Sequence, residues 1–237
     1  MNNLLFARTC RLSVAGFVMI VTGGCALFSK PAAPPAFYSL DNARSERHTA
    51  ARVPALPPSS LPSAAPTLVI NPPRAAAGFD SQRIIYTRDA HKLDYFAHSE
   101  WIDTPARMLT PLIVAAIENS NAFRAVVQTP SAATGELRLD TEILRLQQNF
   151  GESPSRVRFT LRATMVDNAT RRVLAWREFD EIVAAAREDP YGGVVAANRA
   201  VQAVLEKLAD FCTEVAAQWQ PIAVDVPKRA QGNVPVR

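Results

Sequence analysis

The chain is short of the residues from which reactive or stapled sites are built. Cysteine occurs three times in 237 residues, at Cys10, Cys25 and Cys212, and histidine three times, at His48, His91 and His98. No pair of histidines has the close spacing of a helical zinc site, and no paired-cysteine site exists. Glycine is scarce as well. Its nine copies build neither a glycine-rich phosphate loop nor a Gly-x-Ser-x-Gly elbow. No catalytic, cofactor-binding or metal-ligating residue can therefore be assigned from a motif, although a serine could still converge on His98 in three dimensions. Long charge runs are missing too. Without five or six like charges in a row, and without basic residues interleaved with aromatics, nucleic acid is not an expected partner.

Long apolar runs are also lacking, and the one near the start is informative. Arg8 and Arg11 precede an uncharged stretch from Leu12 to Thr22. Its eleven residues cannot cross about 30 Å of hydrocarbon, so they suit the core of a secretory signal better than a permanent span. The segment ends Thr22-Gly23-Gly24-Cys25-Ala26, which resembles a bacterial lipobox, with Thr22 where leucine is usual. Cys25 is the expected lipidation site. Ordinary cleavage near Gly24, leaving a soluble protein, is the alternative. Acyl chains on Cys25 would tether the domain, each buried methylene contributing about 0.8 kcal/mol. By the enteric sorting rule, Ala26 in place of aspartate favours the outer membrane. Loss of residues 1–24 removes two arginines and leaves 24 basic against 22 acidic residues. Cys212 would be the sole remaining thiol besides the acylated one, so no internal disulfide is possible, and its helical spacing with Leu208, Phe211 and Val215 marks a buried position.

Four segments are expected: a signal peptide at 1–24, a linker at 25–66, a single domain at 67–220, and a disordered tail at 221–237. The linker is rich in proline and alanine, too poor in apolar surface to fold and held semi-extended, so that it sets the reach of the domain. Phe37-Tyr38-Ser39-Leu40 interrupts it as a short strand at 36–40 able to dock on a sheet and leave Asp41 to Ala65 as a surface loop. Thr67 to Ile70 is a buried strand stopped by Pro72-Pro73. Arg83–Thr87 and Lys92–Trp101 form a hairpin. A helix then opens at Thr104-Pro105, with Leu109, Leu112, Ile113 and Ile117 along one side. Pro111 lies inside it, and a kink is preferred to a restart at Thr110-Pro111. Phe123–Gln128 is the next strand. Segments 135–150, 156–166 and 172–184 alternate apolar with polar residues and read as an antiparallel meander with one wet face. A long helix begins after Asp189-Pro190-Tyr191-Gly192-Gly193 and ends near Trp219, striped by Ala197, Val201, Val204, Leu208 and Phe211. The fold class is α+β, a mostly antiparallel sheet with two principal helices on one face.

Two groups of side chains are candidates for an interaction surface. Arg156, Arg158 and Arg162 form a row on the wet face, ordinarily just solvated charge, but able to meet lipid phosphates or an acidic partner. Tyr95, Phe96 and Trp101 close the hairpin; Tyr95 and Phe96 fall on opposite faces of the strand, and core packing is the commoner role for such aromatics.

The lipobox cysteine, the Phe37-Tyr38-Ser39-Leu40 strand, Val69-Ile70, and the 83–127 block with Tyr-Phe-Ala-His-Ser-Glu-Trp and Pro-Ala-Arg-Met-Leu together resemble the ABC-type transport auxiliary lipoprotein family, the PqiC-like proteins of Gram-negative envelopes. The resemblance covers roughly residues 25–218. It implies a non-catalytic outer-membrane lipoprotein on the periplasmic face, without cofactors. Its implied partners are an inner-membrane ABC transporter, a substrate-binding subunit with mammalian-cell-entry (MCE) domains, and the phospholipid they move. A scaffolding lipoprotein of an outer-membrane machine is the second reading, and an exported hydrolase using His98 the third.

Overall fold

The strand that everything else is built on is the longest one. In the computed structural model, which describes residues 34–41 and 65–221, that strand is β7 (Leu137–Asn149). Leu137, Leu139, Ile143 and Leu146 point into the core. The even alternation of 137, 139, 141 and 143 would turn residue 145 inward next. A bulge between Ile143 and Arg145 prevents this, adding one residue so that Leu146 faces in and Arg145 does not.

The two edges of β7 are occupied differently. On one side β8 (Arg156–Asp167) pairs antiparallel along its whole length, and β9 (Val173–Ala184) pairs antiparallel with β8. On the other side three short strands lie end to end, all parallel to β7. These are β2 (Thr67–Ile70) at Leu137–Leu139, β3 (Arg74–Ala75) at Glu142–Ile143 and β4 (Arg83–Thr87) at Gln147–Asn149. Pro72 and Pro73 have no N–H to donate, which is why one continuous strand is not possible here. Gly135 sits where β2 enters, and a Cβ on it would come within 2.8 Å of the Thr67 carbonyl and of the Val69 side chain.

The sheet is completed at its margins. β5 (Asp94–Trp101) forms the expected hairpin with β4, and β1 (Ala36–Tyr38) joins β5 in parallel. β6 (Ala125–Gln128) lies parallel to β2. Most paired residues belong to the antiparallel ladders of the meander, so the fold is α+β as expected, with the short strands entering in parallel.

Among the described residues there are two helices, α1 (Pro105–Glu118) and α2 (Pro190–Gln218). α1 runs through Pro111 without restarting. Pro111 is exposed, and beside it the Thr110 hydroxyl donates to the Ala106 carbonyl at 3.0 Å. α2 begins at an Asp189 cap whose carboxylate accepts from the Gly192 amide at 2.7 Å. That bond is the main reason the Asp189 carboxyl is held below its usual range. A Cβ on Gly192 would run into the Arg187 carbonyl, so the first turn can close only over glycine. α2 packs on β8 and β9 and against α1. Leu68, Ile70, Leu109, Ile113, Phe159, Leu161, Val204, Leu208 and Phe211 make one core between helices and sheet. Cys212 lies within it, and burial pushes its thiol up to about 12, which makes it the inert small hydrophobe its spacing suggested. No helix among the described residues is long and apolar enough to cross a membrane.

The segment holding β1 is fastened from three directions. Leu40 is buried, its amide meets Met108 Sδ at 3.4 Å, and Asn198 of α2 clasps the chain by accepting from the Asp41 amide at 2.8 Å and donating to the Ser39 carbonyl at 3.1 Å. The far end of α2 has its own latch. Trp219 Nε1 donates to Asp167 at 2.9 Å, and Asp167 also accepts from the Thr170 amide and hydroxyl.

Candidate interaction surface

The outer face of the meander carries the arginine row, because alternate residues of β8 point away from the helices. Arg156, Arg158 and Arg162 do share this face, as expected. The neighbouring strands, however, supply a carboxylate to almost every position. Register places Glu142, Arg162 and Glu178 side by side, and Arg162 lies 3.7 Å from Glu142 and 3.2 Å from Glu178. Arg158 grips Asp180 through two nitrogens at 2.8 Å, and Thr160 donates to the same carboxylate at 2.6 Å. The Arg158 hydrogen bonds hold the Asp180 carboxyl low, and Asp180 in turn raises Arg158. Arg156 has, among the described residues, only Glu152 at 3.4 Å, and both side chains are more than half exposed. The row is therefore a charge ladder across three strands. Arg158 and Arg162 spend their charge on their neighbours, and such exposed pairs add at most about 1 kcal/mol each.

The aromatic candidates separate. Tyr95 is 49% exposed and lies beneath the Arg83 guanidinium, 4.1 Å from its ring centre. Phe96, on the opposite face, is half-buried against Tyr86 at 4.6 Å and Phe150 at 6.3 Å. Trp101 is 3% exposed and belongs to the core. It is thus removed from the candidate surface, because β5 ends by turning inward beside Tyr38 of β1.

The sequence reading missed the largest exposed aromatic. Trp176 is 66% exposed, and with Val173, Leu174 and Ile182 it lines β9, which among the described residues pairs with β8 alone. The signal was present as a tryptophan at a position that alternation assigns to the wet face. His98 is exposed on β5 and has no hydrogen-bond partner among the described residues, so nothing orients it as a base. No cluster of three metal-ligating side chains occurs among the described residues. Cys25, His48, the signal segment and the tail beyond residue 221 lie outside the described residues.

A family model described as ABC-type transport auxiliary lipoprotein component matches residues 49–209. No curated protein matches the sequence. Among solved structures the chain is similar to protein XCC0632 from Xanthomonas campestris, at 21% identity and a TM-score of 0.60, over 78% of this chain and 95% of that one. It is also similar to an uncharacterised protein at 9% identity and a TM-score of 0.57, over 76% of this chain and 99% of that one. At these identities the likeness is one of fold.

Proposed function

The chain belongs to the ABC-type transport auxiliary lipoprotein component family, and from that membership we propose an outer-membrane lipoprotein, held on the periplasmic face by acylated Cys25, that serves an ABC transporter moving lipid between the two membranes. Its partner in this reading is the MCE-domain subunit of that system, and the protein itself performs no chemistry. The family match carries the proposal. Supporting it, β1 is built into the sheet, so that only residues 26–35 separate Cys25 from the folded domain. At about 3.3–3.6 Å per residue, ten residues span no more than about 35 Å. A domain on so short a tether stays near the membrane and must be met there by the rest of the transporter. Residues 42–64 then lie between β1 and β2, the connection expected once the 36–40 strand docks.

Intact mass and membrane fractionation of the native protein beside Cys25→Ala test the anchor. The wild type is expected to carry acyl mass and sediment with outer membrane, and the variant to be soluble. Affinity purification from crosslinked envelopes then tests the partner, with MCE and ABC subunits as the expected catch. A barrel protein or a cell-wall enzyme in their place would move the assignment to the scaffolding reading.

A further inference from the structure

A groove of about 670 Å³ opens at the end of the sheet where β4 and β7 stop and β8 begins. Its floor is the outer face of the long strands, with Arg145 from β7, Arg156 and Arg158 from β8, and Ile182 from β9. The turn between β4 and β5 forms its wall through His91, Lys92 and Leu93. Four arginine or lysine side chains line this space against a single lining carboxylate, Glu152.

The four cations are not equivalent. Arg158 is fixed by Asp180 and spends its charge there. Lys92 meets Asp94 at 3.2 Å and Arg156 meets Glu152 at 3.4 Å, with both cations more than half exposed. Such pairs are weak enough to be exchanged for a better anion. Arg145 has no salt bridge among the described residues, and its charge reaches Asp180 only through space. It stands outside the core solely because of the bulge in β7, since the unbroken alternation would have buried it. Bulges recur where a strand must re-aim one side chain. Leu93 in the wall and Ile182 in the floor are 49% and 52% exposed, which adds apolar surface to the cationic groove.

We propose that this groove binds a phosphate-bearing anion, with the Arg145 guanidinium as its principal contact, Lys92 and Arg156 as secondary contacts, and Leu93 and Ile182 against an apolar substituent. A guanidinium and a phosphate match in a two-bond, charge-assisted geometry. Two sources share this chemistry, the headgroup of an anionic glycerophospholipid and a soluble phosphate ester. The site stands on the groove alone, so the transport reading could fail while the binding remained.

The test uses the full chain carrying Cys25→Ala, which removes the acyl acceptor without touching the groove. Inorganic phosphate, glycerol 3-phosphate, and phosphatidylcholine vesicles with and without phosphatidylglycerol are titrated in turn, with backbone amide shifts and vesicle co-sedimentation as readouts. Saturable binding is expected, with shifts confined to the 88–93 turn and the adjoining ends of β7 and β8. Arg145→Gln should weaken it about tenfold or more, the loss of one charged contact, and Lys92→Gln less. Arg107→Gln, which removes the same charge from α1 away from the groove, should leave it unchanged. Binding that requires phosphatidylglycerol vesicles identifies the headgroup as the source; equal binding of glycerol 3-phosphate without vesicle capture identifies the soluble ester. Absence of saturable binding to every probe overturns the site, as does equal binding by Arg145→Gln and Arg107→Gln.

Discussion

The two edges of β7 face the same core yet are held by different means. On the β8 edge, twelve successive residues are paired through a short turn, and the alternation of Val157, Phe159, Leu161, Ala163 and Met165 fixes which face is buried. On the opposite edge, β2, β3 and β4 contribute only a few residues apiece, and their partners lie 62 to 69 residues further along the chain. A one-residue slip of β8 would bury its arginines, so its register is strongly specified. The short strands have no such pattern to hold them. They depend on proline stops, on small residues that permit close approach, and on side-chain clasps. Asn71 shows the last device, donating to Asp140 of β7 at 2.6 Å and accepting from Thr129 beyond β6 at 2.8 Å.

This contrast orders the expected effects of mutation. Phe159→Ala, at a fully buried site of β8, is expected to cost about 3–5 kcal/mol in urea unfolding; a loss below one would deny that the antiparallel side carries the core. Gly135→Ala drives a methyl into the Thr67 backbone and should cost about 1–3 kcal/mol. Hydrogen exchange in that variant should quicken at β2 and β6 and stay slow at β8 and β9. Uniform loosening would instead mean that the two edges unfold as one unit.

Smaller changes sharpen the contrast from the meander side. Asp167→Asn weakens the latch to Trp219 and is expected to cost about 1–2 kcal/mol. It also has a pH signature. Asp167 and Asp180 are held below their ordinary values, chiefly by hydrogen bonds from Trp219 and Arg158 respectively. A depressed carboxyl stabilises the fold above its unfolded value of about 3.9, and that contribution is lost as pH falls through the lower folded value. Wild-type stability should therefore drop on acidification below about pH 4, and Asp167→Asn should flatten that slope. Arg162→Gln ought to change stability by less than about 1 kcal/mol, measurable as a small shift in the urea midpoint that shrinks further in high salt.

The same division governs what could be read in advance. β7, β8, β9 and both helices are written in periodicity, because each buries one face against a neighbour close in sequence or shape. The bounds of β7, β8, β9 and α1 agree with expectation to within a residue or two, whereas α2 starts at Pro190 and takes in Gly192 and Gly193, which were expected to precede it. β3 was missed, since two residues have no period, and the parallel pairings of β2, β3 and β4 leave no local trace. Core packing, the commoner role expected of the hairpin aromatics, holds for Trp101, which joins the core beside β1. Trp176 was not singled out, because only the strand pairing shows that β9 has β8 as its one neighbour among the described residues. The arginine row was legible as a row. Its neutralisation was not, because Glu142 and Glu178 come from other strands and only register brings them alongside Arg162.

The clasp on β1 has a mechanical consequence. If Cys25 is anchored, a pull on the domain arrives through residue 35 and loads β1 first. To free that segment it must break the β1–β5 hydrogen bonds, draw Leu40 from the core and break the Asn198 bonds on either side of it. The strap would act as a strain relief, so that force on the tether is absorbed at the margin of the sheet before it reaches β7.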